Sequence, residues 1–172
     1  VLQDITERKQ AEAAIRRSAA IQNVLREITE SALLSASMEE LYESVHRLVD
    51  RVLPATLFHI NLLDEATNEI VVPYRADQVD FLPERRPVGK GMTEYVMRLG
   101  RAVHVTPTVM DRLRETGEYS LGKTEVRHYL GAPLIDSQRR PFGAIALIFK
   151  GETQPMIQAK DVELFSIIAV QV

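Results

Sequence analysis

The sequence predicts an α+β domain, in which an antiparallel sheet carries the terminal helices on one face and crossover loops with short helices on the other. Two apolar runs between Arg127 and Phe149 flank a polar pentapeptide, the pattern of a hairpin. The second run, from Phe142 to Phe149, is apolar at odd and even positions alike. Such a strand has to be covered on both sides, so we expect it at the centre of the sheet. Pro133, in the first run, lacks an N–H for the ladder and predicts a bulge or a strand end.

Composition argues against several classes of function. The chain has 172 residues, a net charge of −3 and mixed charges throughout, so it predicts neither a nucleic-acid surface nor a basic membrane patch. No apolar run approaches the ~20 residues that cross a bilayer. Cysteine is absent, which excludes disulfides and thiol nucleophiles within this sequence and fits a cytoplasmic location. Because the sequence starts and stops abruptly, we expect it to be a piece of a longer protein.

A long helix is predicted from Glu7 to Leu34, since this stretch lacks Gly and Pro and is rich in good helix formers. Small and apolar residues recur along it at alternating steps of three and four, the spacing of a coiled-coil seam. We expect Ile21, Leu25 and Ile28 to form the seam of a homodimer. The alternative is a surface helix that lies on its own domain. The full stripe is Ala11, Ala14, Ser18, Ile21, Leu25, Ile28 and Ala32.

A second helix and a first hairpin follow. Ser37 is a suitable cap for the helix, which ends before Pro54. Residues from Thr56 to Leu63 alternate in polarity, which predicts a half-buried strand, and Glu69 to Arg75 forms its partner. The predicted core face of the first strand holds Phe58, Ile60 and Leu62, and its more polar face holds His59 and Asn61.

The remaining elements are short. The turn at 89–91 leads into a helix from Thr93 to Leu99, which Gly100 ends. A strand is predicted from Ala102 to Thr106, partial helix from Pro107 to Gly122, and a last helix with a broad apolar face from Asp161 to Val172.

Three segments together resemble the GAF domain family, over roughly Leu25 to the C-terminus. Each motif is short, and their order and spacing carry the resemblance. It implies a GAF domain over residues 35–172 with the sheet and covers predicted above. The segments are Gly89-Lys90-Gly91-Met92 with Gly100-Arg101-Ala102-Val103, then Gly131-Ala132-Pro133-Leu134 with Pro141-Phe142-Gly143, and Asp161-Val162-Glu163-Leu164.

The first dozen residues resemble the tail of a PAS domain, with an Asp4-Ile5-Thr6 turn and a connecting helix. This resemblance implies that residues 1–6 are a strand end closing an upstream PAS domain, and that residues 7–34 are a signalling helix. Tandem PAS and GAF domains are similar to the input half of bacterial sensors. The implied parent is a histidine kinase or, next, a cyclic-di-GMP enzyme, whose catalytic blocks are not in this sequence.

Few residues indicate chemistry. Gly89 and Gly91 before a helix could cradle a phosphate, but Glu94 stands where a dinucleotide loop has its third glycine, so a plain tight turn is favoured. No two histidines have ligand spacing on one element, and we predict no metal site, although one assembled across strands stays open. Some GAF relatives attach a bilin or reduce methionine sulfoxide through cysteine, so neither is expected here and the cofactor is unknown. The histidines are His46, His59, His104 and His128.

A basic group could meet an anionic ligand above the open face of the sheet. The alternative is a solvated face, because acidic residues are interleaved with it. The group consists of Arg112, Arg114, Lys123 and Arg127.

Our leading hypothesis is a non-catalytic sensory module that binds a small ligand on the open face and relays the signal through the terminal helices of a dimer to a downstream output domain. The second is a ligand-free module for dimerisation and relay. An enzyme is the third, and it needs a catalytic constellation that this sequence does not offer. The ligand-binding candidates, chosen by strand parity, are His59, Asn61, Met92, Tyr95 and Tyr129.

Overall fold

The computed structural model describes residues 2–53, 55, 57–76, 83–120, 128–150, 157–170 and 172, and gives the backbone alone for residues 2–7, 17 and 32. These residues form a six-stranded antiparallel sheet and five α-helices. The helices are α1 (Leu2–Leu34), α2 (Met38–Asp50), α3 (Met92–Leu99), α4 (Pro107–Glu115) and α5 (Ala159–Val170), and the strands are β1 (Leu57–Asp64), β2 (Glu69–Ala76), β3 (Arg85–Pro87), β4 (Val103–Val105), β5 (His128–Ile135) and β6 (Pro141–Phe149).

The strand that the sequence places at the centre is central. In the order β3-β2-β1-β6-β5-β4, strand β6 lies between β1 and β5 and pairs antiparallel with both. Its residues from Gly143 to Ile148 are all buried. The prediction from the two-sided apolar pattern is therefore confirmed.

Pro133 lies inside β5 and pairs with Ala144, so the strand end predicted at this proline is wrong. The irregularity in the ladder falls between Leu134 and Ile135 instead. The proline is tolerated because β4, the outer neighbour of β5, pairs only with residues 129–131. At Pro133, no strand of the described chain needs an N–H from the outer edge.

Each face of the sheet carries its own core. The first core joins Phe58 and Ile60 of β1 to helices α1, α2 and α5, and the second places α3 and α4 on the opposite face. This confirms terminal helices on one face and short helices on the other. Strand β1 is buried from Leu57 to Asn61, so the half-buried strand predicted here is wrong, because both faces are covered.

Helix α1 begins at Leu2, so the strand end predicted over the first six residues is wrong. Extending a formed helix adds one hydrogen bond per residue, and this stretch holds no Gly or Pro to stop it. The second half of α1 packs on the domain, where Ile28 is 0% exposed and Ile21 and Leu25 lie against the same core. Assigning Ile28 to a dimer seam is therefore wrong, since its own chain encloses it, and the alternative of a helix on its own domain holds for this residue.

Local signals at element ends act as predicted. The Ser37 hydroxyl caps α2 by accepting from the Glu40 N–H at 3.2 Å, and Gly100 ends α3 with a φ of 62°. The β5–β6 hairpin has no glycine in its loop, and there Arg139 takes a φ of 64°. Asp136 holds that turn by accepting from the N–H groups of Gln138 and Arg140.

Replacing Ile28 with Ala should lower the free energy of unfolding by about 2 to 5 kcal/mol, because it opens a cavity in the first core. The matched control is Ile15→Ala on the same helix, where the side chain is 69% exposed and a change within about 0.5 kcal/mol is expected. Chemical denaturation of both variants measures the difference. Equal effects would show that Ile28 is not in the core.

Candidate functional site

The structure places the five ligand-binding candidates on one face of the sheet, opposite the terminal helices. His59 and Asn61 project from β1 on the parity opposite to Phe58, and Met92 and Tyr129 belong to the second core, with Tyr95 packed against it. Four of them are buried and Tyr95 is partly exposed. Strand parity therefore identified the face correctly, whereas whether these residues bind a ligand stays a prediction.

Small residues lie at the centre of this face. His59 pairs across the sheet with Ala146, and Ala146 pairs with Gly131, so the three lie in one row. The Tyr129 ring lies over Gly131, where a Cβ would come within 2.5 Å of the ring and 2.7 Å of Val96. Glycine is required at 131 for the ring to lie across the strand. The Tyr129 ring and the His59 imidazole thus flank a floor without bulky side chains.

The His59 imidazole is neutral and has one free nitrogen. Its Nδ1 accepts from the Asn61 amide nitrogen at 2.7 Å, which leaves the ring proton on Nε2. That Nε2 is buried and has no partner among the described residues. Burial lowers the pKa of His59 to about 4, and the charge of Arg86 adds to this shift. At neutral pH the Nε2–H of His59 is a buried donor without a partner in the described part of the chain.

The Tyr129 hydroxyl is the second buried polar group without a partner in the described part of the chain. Thr93 approaches it without the geometry of a hydrogen bond. Burial, assisted by the negative charge of Glu94, raises the pKa of Tyr129, so the hydroxyl keeps its proton. It can both donate and accept in a hydrogen bond.

A partly buried ion pair lies on the α3 side of the site. Arg86 of β3 contacts both carboxylate oxygens of Glu94, at 2.5 and 2.7 Å, and the Gly89 N–H donates to the same carboxylate at 2.8 Å. Burial disfavours the charge of Glu94, but these hydrogen bonds outweigh it and lower the pKa. The two charges offset each other, so among the described residues this pair adds no net charge to the face between His59 and Tyr129.

The same ion pair bears on whether the turn at Gly89 and Gly91 can bind a phosphate. The Gly89 N–H, which could have met a phosphate, already binds a carboxylate of the chain itself. Sequence analysis missed this arrangement because β3 has three residues and lies in a polar connection. The one signal was Glu94, an acid where a glycine-rich phosphate loop would have glycine.

A cleft of about 360 Å³ opens on the same face, at the end of α3. Leu63 and Ile70 of the sheet form one side, and Met97 and Arg98 of α3 form the other, with Glu94 at the inner wall. Its lining is mostly apolar and includes Glu94 of the ion pair.

The family model described as the GAF domain matches residues 35–172. The chain belongs to the GAF domain family. GAF domains are in general non-catalytic regulatory or sensory modules, although a methionine sulfoxide reductase shares the fold. None of the curated proteins matches this chain.

Several solved structures share the fold of this GAF domain. The GAF domain of an Acinetobacter phosphoenolpyruvate-protein phosphotransferase has a TM-score of 0.70 at 16% identity, over 87% of this chain and 88% of that one. Free methionine-R-sulfoxide reductase from Neisseria meningitidis, in complex with its substrate, has a TM-score of 0.69 at 14% identity, over 90% and 87%. Residues 122 to 287 of a methyl-accepting chemotaxis protein have a TM-score of 0.63 at 14% identity, over 84% of this chain and 91% of that one. At these identities the likeness shows the fold alone.

The basic group predicted above the sheet does not converge in the part of this GAF domain that the structure describes. Arg114 pairs with Asp111 at 3.0 Å and lies over the Tyr119 ring at 5.4 Å, and Arg112 is exposed. Lys123 and Arg127 lie outside the described residues. The alternative of a solvated, charge-interleaved face describes the two arginines of α4.

The other histidines lie apart from the candidate site. His46 hydrogen-bonds the Tyr74 hydroxyl on the terminal-helix face at 3.2 Å, and His104 and His128 hydrogen-bond each other. Within the described ranges, no three His, Asp or Glu side chains gather as a metal site. In those ranges no helix of the GAF domain has the length and apolarity to cross a membrane.

The stability of this GAF domain should fall as the pH drops from 6.5 to 4. In that window the folded chain keeps His59 neutral while the unfolded chain protonates it, so unfolding takes up a proton. The share of His59 in the free energy of unfolding is roughly 3 kcal/mol over the window. Denaturation at a series of pH values measures it.

The variant His59→Gln should give a flatter pH curve than the wild type. His46→Gln is the control, because His46 is only partly buried and a smaller change is expected. Parallel curves for wild type and His59→Gln would show that His59 takes up its proton freely in the folded domain.

Proposed function

We propose that this GAF domain is a sensory module that binds a small uncharged molecule between His59 and Tyr129. The observation that carries the proposal is a pair of buried groups that find no partner among the described residues, one on each side of a floor of small residues. A buried polar group left unpaired costs about 1 to 3 kcal/mol. A ligand that accepts from His59 Nε2–H and pairs with the Tyr129 hydroxyl recovers that free energy.

The neutrality of the face supports the choice of ligand class. Arg86 and Glu94 satisfy each other, so neither is available as a counter-charge for an ion. His59 is neutral and Tyr129 keeps its proton, as their shifted pKa values require. A charged ligand would pay for desolvation without an opposite charge to meet it.

The relay we propose uses the same strands. Strand β1 carries His59 on one face and Phe58 and Ile60 on the other, where they pack against the core of the terminal helices. A ligand that favours one position of the strand changes the packing under α1 and α5. Its effect on the output equals the difference between its affinities for the two arrangements.

We further propose that two copies associate through their terminal helices. The first half of α1 holds the exposed residues Ala11, Ala14 and Ser18 of the predicted stripe, and α5 exposes Ile167 and Val170 beside it. A groove of about 710 Å³ runs between the two helices. In this proposal the parent is a cytoplasmic sensor, a histidine kinase in first place, with a PAS domain upstream and an output domain downstream.

A ligand-free relay module is the second candidate. It is favoured by the packing of the second core, where Met92, Val96 and Tyr129 lie in one cluster with the fully buried Ala144 and Ala146. In that reading the protein's own side chains fill the space a ligand would take.

Native mass spectrometry of the gently purified domain separates the two candidates. A co-purifying small mass supports ligand binding. A bare protein at every concentration supports the ligand-free relay and contradicts the leading proposal.

Replacing Tyr129 with Phe should leave the stability of the ligand-free domain unchanged or raise it by up to about 1 kcal/mol, since it removes a buried hydroxyl without a partner. The same variant should bind the co-purifying molecule about 5- to 30-fold more weakly, as expected for one lost hydrogen bond. Denaturation and mass spectrometry measure the two effects.

The matched control is Tyr74→Phe, whose hydroxyl is hydrogen-bonded to His46 on the other face. It should lose about 0.5 to 1.5 kcal/mol of stability and keep the molecule. A similar loss of stability in Tyr129→Phe would show that its hydroxyl is already paired.

The variant Ala14→Asp should raise the dissociation constant of the dimer at least about tenfold, because it places a charge in the proposed seam. Asn23→Asp, roughly half a turn away around the exposed helix surface, is the control and should leave the constant unchanged. Light scattering over a concentration series measures both. An unaltered dimer in Ala14→Asp would rule out this seam.

A further inference from the structure

Two histidines that are distant in sequence meet on the edge of the sheet. His104 is in the edge strand β4 and His128 is the first residue of β5. The Nε2 of His104 lies 3.1 Å from the Nδ1 of His128, and the rings stack with centroids 5.2 Å apart at 26°. His104 pairs with Leu130, a residue of the first core, so both histidines lie on the terminal-helix face, opposite the proposed ligand site.

We propose that His104 and His128 together chelate one divalent transition-metal ion of the kind imidazole prefers, such as Zn²⁺, Ni²⁺ or Cu²⁺. Imidazole nitrogens bind zinc at about 2.0 to 2.1 Å. Two such nitrogens on one ion are therefore about 2.9 Å apart at a right angle and about 3.4 Å apart at a tetrahedral angle. The separation of 3.1 Å in the structure falls between these values.

The electronic state of the rings suits a ligand role. Burial lowers the pKa of both histidines, and a proton on His128 would lower the pKa of His104 further, which favours the neutral rings that bind a metal ion. In the hydrogen bond one ring nitrogen holds the proton and the other offers its lone pair. When the donor ring carries its proton on its other nitrogen instead, both of the facing nitrogens have a free lone pair. A metal ion can then bind between them in place of the proton.

The position of the pair determines what kind of site it forms. The described residues supply no third His, Asp or Glu, so water completes the coordination and the site keeps open positions. His104 is partly exposed and lies on the edge strand, which gives water and metal access. A bound ion would join β4 to β5 in addition to their three paired residues, from Val103 to Val105.

Thermal unfolding with ZnCl₂ or NiCl₂ tests the site, since an ion that binds only the folded state raises the melting temperature. The wild-type domain should gain about 5 to 10 °C at a hundredfold excess of metal over its dissociation constant. A chelator should reverse the gain. The variants His104→Gln and His128→Gln should lose it, while His46→Gln should keep it.

A second measurement uses the unaltered protein, in case either variant folds poorly. Paramagnetic Ni²⁺ should broaden the ring proton resonances of His104 and His128 before those of His46 and His59. Loss of the thermal gain in both variants, with selective broadening, establishes the site. The proposal is overturned if the melting temperature of the wild type does not rise with metal, if the rise persists in His104→Gln, or if all four histidines broaden alike. The pair is then only a hydrogen bond between two strands.

Discussion

Strand β6 is buried at every residue from Gly143 to Ile148 and has to be screened from water on both faces at once. One face is covered by helices from both ends of the chain, and the other by the short helices α3 and α4. Hydrophobic burial on two sides of a single strand therefore brings the two chain ends to one face and leaves the middle of the sequence on the other. In the function that we propose, this division separates the surface for relay from the surface for ligand binding.

The face covered by α3 and α4 departs from what stability alone would select. It places a neutral histidine and a tyrosine hydroxyl in a packed core where no described residue pairs with them, each at a cost in free energy. A well-packed first core can offset that cost, because large side chains such as Phe58 and Phe165 are fully enclosed there. In the function that we propose, a ligand pairs with these polar groups, and this pairing is what distinguishes the ligand-bound domain from the ligand-free one.

Sequence patterns predicted most of the fold because they report local physics. Alternation in β1 separated His59 from Phe58, and Ser37 and Gly100 marked helix ends through hydrogen bonds within a few residues. The heptad stripe was less informative, since an apolar seam looks the same whether it meets a second copy or its own domain. For Ile28 the structure decides in favour of its own domain.

The sequence by itself determined which face of each strand is apolar, where the helices end, and that no thiol chemistry is available, since these depend on residue type and spacing along the chain. Only the tertiary structure decided that Arg86 neutralises Glu94, that His104 meets His128, and that His59 and Tyr129 find no partner in the ranges that the structure describes. Each of these joins residues on different elements, and their contacts arise from strand order and register. No periodicity within one segment encodes which strands become neighbours.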